Sequence, residues 1–198
     1  MDNLFDKILS IVDTDEVSSK DDFDLFIDNL TNHPAPLREV CAYKLDEIYK
    51  DEYLDDNNLN IILNAVIDIN PNVSRCVCLL IKNHTLLQKS LCAKLILRIN
   101  DTLKLIPDNE RNQSNKSHAK NKLLFSLYWL MEALFYSYGD EYQTQALEII
   151  KVTFNFSDYT IREKAAQLLT KVKNPPDDLI KSIKQDKNFY VNFYSKFI

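Results

Sequence analysis

The sequence predicts an all-α fold, and three observations carry that prediction. Glycine is almost absent: the 198 residues include one, Gly139, where average usage would give about fourteen. Glycine supplies the positive-φ turns of hairpins and phosphate loops. A chain without it has little means of building a Rossmann crevice, a P-loop, a nucleophile elbow or a meander of tight hairpins. Second, apolar residues recur at i, i+3 and i+4 along most of the chain. Third, proline-containing breaks such as Asn32-His33-Pro34-Ala35-Pro36, Asn70-Pro71 and Asn174-Pro175-Pro176 interrupt that pattern. Proline removes a backbone donor and restricts the residue before it.

The elements follow in order. Leu4, Phe5, Ile8, Leu9 and Val12 predict a first helix. Ser18-Ser19-Lys20-Asp21-Asp22 reads as an N-cap with acidic first-turn residues, suited to the helix dipole. Phe23, Phe26, Ile27 and Leu30 give the next stripe, and Leu37, Cys41, Leu45 and Ile48 the one after Pro36. Leu59 to Ile67 predicts a helix stopping at Asn70-Pro71, and Val73, Val77, Leu80 and Ile81 continue beyond it. A long helix from Thr85 to Ile106 ends at Pro107. Residues 108–116 contain no apolar side chain and predict a mobile loop. A second long helix runs from about Ser117 to Tyr138, with Gly139 placed as a C′ glycine. Segments 141–154, 159–173 and 177–184, and a last one from about 188, complete roughly eleven helices with no convincing strand.

Composition narrows the class. The length fits one domain or one short repeat array. No apolar run approaches the roughly 20 residues of a membrane span, and the first residues lack the basic and apolar regions of a secretion signal. A cytoplasmic location is expected. Cys41, Cys76, Cys78 and Cys92 lie in apolar helical segments without metal-ligand spacing, so core packing is their expected role. The net charge of −5 is uneven: residues 1–60 carry sixteen acidic and five basic side chains, a net of −11, which leaves +6 for residues 61–198. Such asymmetry can steer a partner or simply solvate the first helices.

A short pattern follows the breaks. Leu37-Arg38-Glu39-Val40-Cys41-Ala42, Val73-Ser74-Arg75-Cys76-Val77 and Ile161-Arg162-Glu163-Lys164-Ala165-Ala166 share it, and Val191-Asn192-Phe193-Tyr194-Ser195 is a weaker instance. The apolar residue faces the core, and the small residue four positions later lets helices approach. The pattern resembles the HEAT repeat, whose second helix begins Pro-x-Val-Arg-x-x-Ala. Pro36-Leu37-Arg38 with Cys41 and Ala42, and Ile161-Arg162 with Ala165 and Ala166, match best. Ser74 stands in place of the arginine, and residues 84–138 fit no clean repeat. The resemblance implies a right-handed α-solenoid of about five HEAT-like helical pairs plus an N-terminal helix, one domain over residues 1–198. A globular helical bundle is the competing fold. The family pattern carries no catalytic residue.

Function reads as partner binding without catalysis. His33, His84 and His118 lie at helix ends or in polar loops, outside any Ser/His/Asp or Cys/His arrangement. The acidic clusters 21–24 and 51–56 lack the glycine and glutamate spacing of an EF-hand. No cofactor, metal or catalytic residue is expected. If Leu37, Cys41, Leu45 and Ile48 are buried, Glu39, Tyr43 and Asp46 face outward; on the helix from Ile161, Glu163, Lys164, Gln167 and Lys171 do so. Those seven are the candidate protein-binding residues. Residues 123–138 are apolar all round except for Glu132. That helix is either central in the core or presents Tyr128, Trp129 and Tyr136 to a partner. Phe189, Phe193 and Phe197 form a C-terminal stripe that either docks on preceding helices or self-associates. The alternative function is nucleic-acid binding, as in HEAT-like alkylpurine DNA glycosylases. The +6 of residues 61–198 and the cluster Lys116, Lys120 and Lys122 keep it open; the only tryptophan, Trp129, lies within the apolar helix, and a pI near 5.2 weighs against it.

Overall fold

The computed structural model describes residues 2–12, 19–112 and 121–198. Among them are twelve α-helices and no strand. The chain divides into two compact units, residues 1–90 and 91–198. The first holds α1 (Asp2–Val12), α2 (Lys20–Asp28), α3 (Ala35–Ile48), α4 (Asp56–Ala65), α5 (Pro71–Asn83) and the start of α6 (Thr85–Leu105). Here α3 packs on α1, α2 and α5, and α4 packs on α2 and α5. Phe23, Phe26, Ile27, Leu30, Cys41 and Leu45 are wholly buried. The second unit holds the rest of α6, then α7 (Asp108–Arg111), α8 (Lys122–Ser137), α9 (Gln143–Thr153), α10 (Tyr159–Leu169), α11 (Asp177–Gln185) and α12 (Phe189–Phe193). Its centre is α10, which packs on α8, α9 and α12, while α11 packs on α12. Ile161, Ala165, Ala166, Leu168 and Leu169 are buried on α10.

Asparagine does the work that glycine usually does. Among the described residues, two non-glycine residues have positive φ, Asn32 (φ 62°) and Asn174 (φ 50°), each just before a proline break. Asparagine visits the left-handed region more readily than other L-residues because its short amide bonds locally. Asn70, Asn121 and Asn188 cap α5, α8 and α12, Asp55 and Asp158 cap α4 and α10, and Ser19 forms a capping box with Asp22 on α2. Each cap oxygen satisfies amides the helix leaves open. Gly139 departs from its predicted role. Its backbone is extended, φ −119° and ψ 147°, and it precedes a 3-10 turn at Asp140–Tyr142 rather than closing a helix in the left-handed region.

The repeat pattern acquires a physical meaning at its second position. Arg38 donates to the carbonyl of His33, Ser74 to that of Asp68 (3.0 Å), Arg162 to those of Phe156 and Ser157 (both 2.8 Å), and Asn192 to that of Lys184 (2.7 Å). In the first three, a side chain in the first turn of a helix ties down the loop that leads into it; Asn192 instead ties α12 to the last turn of α11. The two arginines reach further. Arg38 pairs with Asp68 through Nε and Nη2, and Asp68 accepts from the Asn70 amide that starts the cap of α5. Arg162 pairs with Asp186 in the same way, and Asp186 accepts from the amide of Asn188, the cap of α12. Each arginine therefore joins one helix to the start of the helix packed beside it, α3 to α5 and α10 to α12.

Two other segments differ from expectation. The described part of the polar stretch, 108–112, contains α7, and it is anchored. Arg111 donates to the carbonyl of Leu103, Ser157 donates to that of Arg111, and Asn121 bonds Glu110. Residues 113–116 and His118 lie outside the described residues. At the C-terminus α12 gives way to a 3-10 turn, Tyr194–Phe197. Val191 is the residue that docks, while Phe189, Phe193 and Phe197 stay exposed. They touch one another instead, with ring centroids 6.3 and 5.3 Å apart. Docking of that stripe on the preceding helices is therefore not what occurs, because a short α12 turns only one residue inward.

Candidate functional site

The candidate residues of α3 occupy a groove rather than a free rim. Leu9, Pro36, Val40 and Cys76 give it an apolar lining, Glu39, Asn72 and Arg75 a polar edge, and Tyr43 and Lys44 a wall; it encloses about 560 Å³. Tyr43 is 63% exposed, as its position on the helix predicts. Glu39 and Asp46 are half-buried because both grip α5. Glu39 accepts from the amides of Asn70 (3.1 Å) and Asn72 (2.8 Å) at the start of α5. Asp46 accepts from Asn83 (2.7 Å) and meets His84 Nε2 (2.8 Å) at its end. Start meets start and end meets end, so α3 and α5 run in the same direction. The apolar spacing of Leu37, Cys41, Leu45 and Ile48 marked both carboxylates as outward. It could not reveal the amides of a helix some thirty residues later.

Three cysteines, Cys41, Cys78 and Cys92, are buried, and burial pushes the Cys41 thiol up to about 12. Cys76 is half-buried and belongs to the groove. Among the described residues no group of three or more His, Cys, Asp or Glu side chains is placed to hold a metal ion. No helix among them is long and apolar enough to cross a membrane.

In the second unit, α8 resolves the choice its sequence left open. Leu124, Leu127, Leu130, Met131 and Leu134 are buried. Phe125, Tyr128, Trp129, Glu132, Phe135 and Tyr136 are half-buried. The spacing of that second set is i, i+3, i+4, i+7, which makes it one continuous helix stripe. The helix thus has a core face and an aromatic face. Phe125, Tyr128 and Trp129 meet edge to face, with centroids 5.2 to 6.2 Å apart.

Lys164, predicted to be exposed, is buried beside this stripe. Its ammonium pairs with Glu132 (2.5 Å), bonds Gln167 (2.9 Å) and lies 4.9 Å from the centroid of the Tyr128 ring. The reason is positional: Lys164 is three residues after Ile161 and one before Ala165, on the core side of α10. Glu132, alone among apolar neighbours, gives it a counter-charge, and Tyr136 donates to the other Glu132 oxygen (2.8 Å). Burial by itself would lower the Lys164 pKa, but Glu132, Tyr128 and Glu163 hold it above the ordinary lysine value. Glu163 and Gln167 are half-buried, and Lys171, which follows α10, is exposed with its ammonium 4.8 Å from the centroid of the Phe135 ring. Burial raises the Glu163 carboxyl above its usual range, against the pull of Lys164 and with a push from Glu132. Lys122 is exposed, and its predicted neighbours Lys116 and Lys120 lie outside the described residues.

No protein-family model matches the chain, and no curated protein matches it either.

Proposed function

We propose that this chain is a non-enzymatic, protein-binding helical-repeat module, a right-handed solenoid of HEAT-like pairs that takes its partner along the α3 and α5 face. The groove carries this reading. An apolar lining with a polar edge and one exposed tyrosine is the composition of a recognition surface, in which aromatic anchors supply most of the energy. The recurring arginine clasps, Arg38 with Asp68 and Arg162 with Asp186, support repeated helix-to-helix stacking, the basis of solenoid surfaces. The acidic excess of residues 1–60 favours a partner with a basic rim. A cytoplasmic setting agrees with the reading.

The test is photo-crosslinking with benzoylphenylalanine placed at Tyr43 and, as a control, at exposed Lys181, in cells that express the full chain. A discrete protein adduct at position 43 that is missing at 181, and lost in Val40→Arg, is the expected result. Identical adduct patterns at both positions would overturn the proposal.

A further inference from the structure

We propose that the C-terminal ring cluster of the second unit seats on the surface of an anionic lipid bilayer, its aromatic rings entering the headgroup layer and its lysines meeting the lipid anions. The cluster is continuous. Tyr159 stacks on Tyr190 (6.3 Å between centroids), Tyr190 meets Phe189 (5.7 Å), Phe189 meets Phe193 (6.3 Å) and Phe193 meets Phe197 (5.3 Å). All five are exposed, by 39% to 69%, while Val191 is the buried residue of α12. Rings this open stand out from the surface rather than line a cleft.

Charge then selects what they meet. Between Leu179 and Ile198 the exposed charged side chains are Lys181, Lys184, Lys187 and Lys196. None of the four pairs with a described carboxylate, and Lys196 holds its ammonium 5.3 Å from the centroid of the Phe193 ring. The one acidic residue of the segment, Asp186, has a side chain 8% exposed and committed to Arg162. Protruding aromatics beside uncompensated lysines suit a bilayer surface. The rings favour the headgroup layer, and each lysine near an anionic leaflet adds to the attraction. Lysine stems lie along apolar surface while the ammonium stays in water. The acidic excess of residues 1–60 belongs to the other unit, and physiological salt limits its repulsion to about 8 Å.

Two other occupants fit less well. A second copy seated face to face would set these lysines against their counterparts. At roughly 200 Å² per fully exposed aromatic side chain, the five rings offer about 500 Å², below the roughly 800 Å² per copy of a standard interface. A nucleic-acid strand stacks successive bases on ring faces. From Tyr190 to Phe197 the rings are inclined by 42° to 77° to their neighbours and share no stacking direction.

The experiment is flotation of the full chain with vesicles of phosphatidylcholine alone, and of phosphatidylcholine with about one-quarter phosphatidylserine, at physiological salt. The expected result is partition onto the phosphatidylserine vesicles roughly tenfold or more above that onto phosphatidylcholine. Replacing Phe189 and Phe197 together by serine should lower that partition about tenfold. Replacing Lys184, Lys187 and Lys196 together by glutamine should bring it near the phosphatidylcholine level. Both variants should keep the far-ultraviolet circular dichroism melt of the parent, because all five side chains are exposed. Equal partition onto the two vesicles, no flotation with either, or flotation that survives the phenylalanine substitutions would overturn the proposal. So would a concentration-dependent doubling of mass in lipid-free light scattering that the phenylalanine substitutions abolish, which would assign the rings to a second copy. Oligothymidine binding lost in the same variant would overturn it in favour of a nucleic-acid strand. Crosslinking at Tyr43 reads the other unit, so failure here leaves the groove reading standing.

Discussion

In the first unit Arg38 reaches from α3 to Asp68; in the second Arg162 reaches from α10 to Asp186, and in both the aspartate holds the amide that opens the next cap. Around this shared clasp the two units diverge. The α3 face spends its carboxylates on neutral amides and a histidine at the two ends of α5, which leaves an open groove between the helices. The α10 face buries a lysine against the one carboxylate of an aromatic helix, with Glu163 half-buried beside it in the sequence. The same backbone device thus supports two kinds of surface, one hollow and amide-bonded, the other aromatic and charged. What varies is the second position after the arginine, which holds Val40 in the lining of the groove in the first unit and the buried Lys164 in the second.

That contrast breaks most visibly at the buried pair. Lys164→Met leaves the Glu132 carboxylate without its partner at a site where its side chain is 14% exposed, and should cost about 3 kcal/mol in urea unfolding. Combining it with Glu132→Leu should return stability to within about 1 kcal/mol of the parent, since a packed apolar pair replaces an ion pair at little cost. No counterpart exists on the α3 face, where Glu39→Gln keeps an acceptor for Asn72 and should change stability by about 0.5 kcal/mol or less.

The clasps come next. Arg38→Ala and Arg162→Ala each strand a largely buried aspartate and free loop carbonyls, and each should cost about 2 kcal/mol. Native-state hydrogen exchange should locate the loss at the start of α5 in one variant and of α12 in the other. If Arg162→Ala costs no more than a surface change, the equivalence of the clasps fails.

Acid sharpens the same comparison. Burial opposes ionisation of Asp186, but the Arg162 hydrogen bonds and the Asn188 amide outweigh it and hold the carboxyl below its ordinary value. A depressed folded pKa means stability that is present above the unfolded value, about 3.9, and lost as pH falls through the folded one. Stability should therefore decline below about pH 4, and the decline should flatten in Arg162→Met.

The smallest effects concern turns. Asn174→Ala, at φ 50°, should cost about 1 kcal/mol. Gly139→Ala should be neutral or stabilise by about 0.5 kcal/mol, because its φ is −119° and the group nearest an added Cβ is the flexible Glu141 carboxylate. Thermal melts of the two variants should move in opposite directions.

Much of the architecture is legible in the chain because proline, caps and apolar spacing act locally. Pro71 and Pro107 bound their helices, Ser19 caps α2, and the stripes Phe23 to Leu30 and Leu37 to Ile48 are buried in register. Lys164 defeated that reading because a residue's charge argues for water, while its position argued for the core, and the deciding partner was 32 residues away. The grip of Glu39 and Asp46 on α5 is invisible for the same reason. Gly139 misled because the only glycine invites a positive φ, and this turn did not need one. The aromatic face of α8 was half legible: an all-apolar helix shows that something covers it, but only packing shows which side.

The placement of asparagine also bears on how this chain ages. Deamidation begins when the backbone nitrogen of the following residue attacks the side-chain amide and closes a succinimide. Asn70, the cap of α5, and Asn174, in its left-handed turn, are each followed by proline. Proline has no N–H to give up, so the ring cannot close at either position. Asn32, the other left-handed asparagine, is followed by His33 and lacks that protection. After prolonged incubation at alkaline pH, peptide mapping should find aspartate and isoaspartate at 32 well before 70 or 174. The lifetime of two of the turns that shape this protein is thus set by the chemistry of the residue that ends each helix pattern, independently of how tightly the turn is folded.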